Sequence, residues 1–162
     1  MLRKEKRYDR GRHCLLVVAA FSALNAVLTL IGSGQYFLFS GFTVYIQCLF
    51  CRSAYEETGA VGHLLIGIAA AVLIIGLTLL CWALARDKRG WILGGLGLMV
   101  LDTLALLYCC ALFNAWKDFL LDFIFHGLIL LEMTIGAASV AEGPLFERRT
   151  DRIDTWNRRK KY

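Results

Sequence analysis

Asp102 and Glu132 each interrupt a long apolar run, 92–113 and 119–141, and Asn25 interrupts a third, 14–31. An ionised carboxylate in the middle of a bilayer costs at least about 2.5–3.5 kcal/mol, so such residues face other protein. Counted from one end of their runs, Asn25 and Asp102 lie about 11 residues deep and Glu132 about 9, roughly 13–17 Å at the helical rise. Two carboxylates at one depth share a proton. The expectation is a buried cluster of Asn25, Asp102 and Glu132 that handles a proton, a cation or a cationic solute. The bland alternative has each group bonding nearby backbone or hydroxyls such as Thr103 and Thr134.

Two further sets carry chemistry. Asp122 and His126 stand one helical turn apart and so share a face. With His63 they offer the imidazole and carboxylate donors that a divalent transition metal takes, or they form an Asp–His pair that satisfies itself. Cys48 and Cys51 form a CxxC, a spacing that depresses one thiol's pKa and suits disulfide exchange. Cys109-Cys110 fall on the same side by chain order, while Cys14 and Cys81 fall on the other. Inert packing thiols are the plain alternative.

The elements that position these groups follow from where charge is absent. The chain has 162 residues, 58% of them hydrophobic and only 19% charged, with a net charge of +5 and one proline, Pro144. Four long runs nearly free of charge imply an all-α polytopic membrane four-helix bundle with spans 14–31, 60–85, 90–113 and 119–141. A transmembrane β-barrel would show short alternating segments instead. Basic residues gather before the first run (Arg3, Lys4, Lys6, Arg7, Arg10, Arg12), between the second and third (Arg86, Lys88, Arg89), and after the fourth. This alternation places both termini in the cytoplasm. It also accounts for the positive charge through anionic lipid headgroups, leaving no case for nucleic acid.

The chain therefore divides into a basic cytoplasmic arm (1–13), a membrane domain (14–143) and a basic cytoplasmic tail (144–162) beginning at the Gly143-Pro144 helix stop. The first run follows basic residues as a secretory signal does, but its apolar part is longer, and we read it as a retained span. Ser22, Asn25 and Thr29 share one helix face that should meet neighbouring helices. Segment 35–51 is aromatic but broken by Ser40, Gly41, Thr43 and Gln47. A crossing there would put the Arg86–Arg89 knot outside, so the segment is expected to be re-entrant or to lie in the outer interface, covered by the four spans. Residues 52–59 read as an outer loop. Gly90, Gly94 and Gly97 mark a close helix approach within one chain or between two.

Two resemblances bear on this plan. Four spans with a CxxC after the first, and Arg52 directly following Cys51, resemble the DsbB-type thiol oxidases, which pass electrons to quinone. The turn between spans three and four is too short for the second cysteine pair of that family. Tyr36-Phe37-Leu38-Phe39-Ser40, Gly90-Trp91, Leu101-Asp102-Thr103-Leu104, Asp122, His126 and Glu142-Gly143 resemble small bacterial membrane proteins of uncharacterised activity. There a Pro-Tyr pair stands where this chain has Val44-Tyr45. That resemblance implies the four-span plan, and brings no activity. The functional expectation is a multi-pass protein of the bacterial inner membrane, non-catalytic, acting as an accessory subunit or in small-solute or ion handling, with a protein partner or a second copy of itself (a homodimer) as the candidate partners. The alternative is a quinone-linked thiol–disulfide oxidoreductase using Cys48 and Cys51.

Overall fold

The computed structural model describes residues 2–139, with side chains from Glu5 onward. It is all-helical, with α1 Leu2–Leu30, α2 Phe42–Thr58, α3 Gly62–Asp87, α4 Trp91–Phe113 and α5 Leu120–Ala138. All but α2 are long and apolar enough to cross a membrane. The tail 144–162 and the Gly143-Pro144 stop lie outside the described residues.

Helix α3 starts and ends two residues later than 60–85, and α4 and α5 start one residue late, but three boundaries differ in more than register. The helix runs unbroken through the basic arm, because that arm has its own apolar anchor. Tyr8 is buried, and its hydroxyl donates to the Ala85 carbonyl at 2.6 Å. Arg89 reaches Glu5 at 3.3 Å and lies over the Tyr8 ring. Secondly, α2 begins at Phe42 and continues to Thr58, absorbing most of the stretch expected as a polar loop. It stops at Gly59, whose left-handed φ of 69° lets its N–H bond the Tyr55 carbonyl. Finally, α5 ends at Ala138, short of residue 141.

Helix α1 touches all four other helices, and α5 packs on α1 and α4. Where α1 crosses α5, backbone meets backbone. A Cβ on Gly11 would lie 3.0 Å from the Glu132 carbonyl oxygen and 3.2 Å from the Gly136 Cα. On α4 the closest small-residue contact is Gly95 against Leu15, while Gly97 faces open space. One apolar core joins Leu15, Val18, Cys81, Met99, Ile129 and Met133, and a second joins Phe42, Leu106 and Cys110. The outer faces are also apolar: Leu65, Val72, Leu73, Leu101, Leu104, Leu112, Leu121 and Leu131 are all exposed. Water penalises a surface of that kind over its whole extent, whereas lipid tails do not.

Candidate functional site

Between α1 and α2 the chain runs without helix through residues 31–41. Its buried N–H and C=O groups need partners that the segment cannot supply itself. Side chains of α1 meet the groups of Phe37 and Gly41. Asn25 of α1 uses both ends of its amide on one residue: Phe37 N–H donates to Oδ1 at 2.9 Å, and Nδ2 donates to the Phe37 carbonyl at 2.7 Å. The same Nδ2 reaches Ser40 Oγ at 2.7 Å. One turn back on α1, Ser22 Oγ accepts the Gly41 N–H at 2.7 Å.

The start of α2 is capped from a distance. A helix leaves its first N–H groups unpaired, and Gly41 offers no side chain to take them. Asp102 of α4 does so instead: Phe42 N–H donates to Oδ2 and Thr43 N–H to Oδ1, each at 2.8 Å. The carboxylate also meets the positive end of the α2 dipole. Phe39, just upstream, is held at φ 70°, a conformation that costs a bulky L-residue about 1–2 kcal/mol. Its ring lies 3.9 Å from that of Phe125 and 6.2 Å from that of Phe21.

Helix α5 completes the network. His126 Nε2 lies 2.8 Å from Asp102 Oδ2, and its Nδ1 lies 2.8 Å from the backbone carbonyl of Asp122. A carbonyl only accepts, so Nδ1 carries a hydrogen. One further proton lies between Nε2 and Oδ2, giving either an imidazolium–carboxylate pair or two neutral groups. The pair has no net charge in either form, which suits its burial. The Asp122 carboxylate accepts from Tyr36 Oη at 2.5 Å. Burial, and then this bond, raise the Tyr36 pKa, so the phenol keeps its proton.

Asn25 and Asp102 are thus joined through residues 37–43, and Asp122 and His126 belong to the same network. Glu132 lies apart in a groove between α1 and α5, with Oε1 3.6 Å from Arg10 Nη1. His63 sits half-buried at the start of α3, with no contact to the Asp122–His126 pair. Among the described residues no three His, Cys, Asp or Glu side chains gather as a metal centre requires. Cys48 is fully buried with Ala26, Val44 and Ala71, and Cys51 packs on Gly67. Burial pushes the Cys48 thiol up, away from the depressed pKa of an exchange nucleophile. Tyr36, Ser40 and the Gly41–Thr43 amides are site groups that sequence reasoning did not single out. A glycine followed by a helical stretch with no capping side chain was the available signal.

Asp102 also lines a cavity of about 310 Å³ between α1, α2, α3 and α4. Val18, Val44, Ile74, Ile75, Leu98, Met99 and Ala105 form its apolar walls, and Ser22, Thr43 and Thr78 add hydroxyls. Asp102 Oδ1 holds the Thr43 N–H and Oδ2 holds the Phe42 N–H and His126, and the Thr43 side chain also bonds the carboxylate. The arrangement suits a small, mostly apolar molecule with one hydrogen-bond donor. No protein-family model, curated protein or solved structure matches the chain.

Proposed function

We propose that the chain is a four-span protein of the bacterial inner membrane that binds a small, largely apolar solute and performs no covalent chemistry on it. The four long helices form a bundle with both termini cytoplasmic, as the basic clusters at 3–12 and 86–89 favour. Residues 31–41 and α2 then make an element that enters from the outer side and returns. Side chains of the spans act as its internal solvent, which is the condition for non-helical backbone at membrane depth.

The observation that carries the reading is the cavity beside Asp102, an apolar space with a carboxylate in its wall near the middle of α4. The titratable groups of the network already have partners, so none is presented as a nucleophile. An accessory subunit without a ligand of its own is the runner-up. The burial of Cys48 gives the thiol-exchange reading no support.

The test uses photoactivatable alkyl diazirines, one with a hydroxyl head and one with an ammonium head, on the purified protein in nanodiscs. Peptide mapping is expected to place the label on Val44, Ile74 or Leu98, and Ala105→Phe, which fills the cavity, is expected to abolish it. Labelling spread over the lipid-facing leucines and unchanged by Ala105→Phe refutes solute binding and leaves the accessory reading. Stronger labelling by the ammonium probe identifies a cationic solute.

A further inference from the structure

A second cavity, of about 190 Å³, lies where α1 ends and one face of α2 passes it, away from Asp102. Thr29, Gly32, Gln35, Tyr45, Arg52 and Glu56 line it. Tyr45, Arg52 and Glu56 fall seven and then four residues apart, so α2 presents them on one side. Two independent observations bear on what the cavity accepts. Thr29 is 7% exposed, and among the described residues its buried hydroxyl makes no hydrogen bond, although a helical threonine ordinarily bonds the carbonyl one turn back. An unpaired buried hydroxyl is costly unless something enters to pair it.

The second observation is the state of Arg52. Its Nε donates to Glu56 Oε1 at 2.7 Å and its Nη1 to the Leu30 carbonyl at 3.1 Å, while the guanidinium lies over the Tyr55 ring. Among the described residues Nη2 makes no hydrogen bond. It packs against Gly32, where a Cβ would stand 3.1 Å from it. Gly32 itself holds φ 75°. The guanidinium is thus fixed on two sides with one nitrogen left over, in a cavity that Thr29 and Glu56 also line.

We infer that this cavity binds a small zwitterion of the amino-acid class. The ligand carboxylate takes Arg52 Nη2 and the Thr29 hydroxyl, and the ligand ammonium takes the outward oxygen of Glu56. One fixed positive and one negative group match a ligand that carries both charges and no net charge. The cavity shares no lining residue with the one beside Asp102, so this inference does not rest on the proposed function.

Thermal unfolding of the purified full chain, with the standard free amino acids added one at a time, tests it. At least one amino acid is expected to raise the midpoint saturably, and Thr29→Val and Glu56→Gln are each expected to weaken that ligand by about tenfold. Both variants leave the Leu30 contact of Arg52 intact, and Ala105→Phe is expected to leave the response unchanged. No response to any amino acid, or a response unaltered in both variants, overturns the proposal. An equal response to acetate also overturns it, since the site would then select an anion.

Discussion

Asn25 commits its donor and its acceptor to the backbone of Phe37, a pairing ordinarily left to another strand of backbone. Replacing it with alanine strands the Phe37 N–H and leaves the Phe37 C=O only the Ser40 hydroxyl at 3.3 Å, at an expected cost of about 1–3 kcal/mol. Denaturant titration of the purified protein followed by circular dichroism measures this. The Asp102–His126 contact invites a double-mutant cycle with Asp102→Asn and His126→Asn. Interhelical hydrogen bonds in membranes couple by about 0.6 kcal/mol on average, whereas residues in one charged network reach about 2 kcal/mol. A coupling near the higher figure is expected, and it identifies the imidazolium–carboxylate form. A value near the lower one identifies the neutral pair.

At the scale of elements, the α1–α5 crossing is set by backbone meeting backbone at Gly11 and Gly136. Gly11→Ala drives its methyl against main-chain atoms that no rotamer change can move, and is expected to destabilise by about 1–3 kcal/mol. Gly76 and Gly127 face open space, so alanine there is expected to be neutral or stabilising by up to about 1 kcal/mol. The same denaturant titration on all three variants checks the contrast. The helices themselves were legible, since uninterrupted apolar runs have few other solutions in a small chain. Which glycine mattered was not. Gly94 and Gly97 fit the small-residue spacing, yet Gly95 receives Leu15, because the rotation of α4 about its axis is set by the seating of Asp102 on α2. The helical arm before residue 14 was missed for a related reason. Its anchor, Tyr8, finds its acceptor 77 residues away at Ala85, and no local pattern announces such a partner.

For the molecule as a whole, the topology proposed from charge makes a plain statement about sidedness. In a cysteine-free chain, Glu57→Cys is expected to react with an impermeant maleimide on intact cells, and Lys88→Cys only after permeabilisation. The reverse result would invert the protein and place the Arg52 cavity in the cytoplasm. Sequence depth alone grouped Asn25, Asp102 and Glu132, but depth fixes only one coordinate of three. Asn25 and Asp102 turn toward the same short segment, while Glu132 turns to a groove and meets Arg10. The cap on α2 also bears on how the protein is made. Its amides leave the ribosome early, whereas Asp102 and His126 arrive only with the last two helices. Until then a helix start lies in the nascent chain with its charge unanswered, and the first half waits on the second. A truncated product ending after α3 would therefore carry its own mark of incompleteness, an unsealed segment open to the membrane proteases that clear unfinished chains.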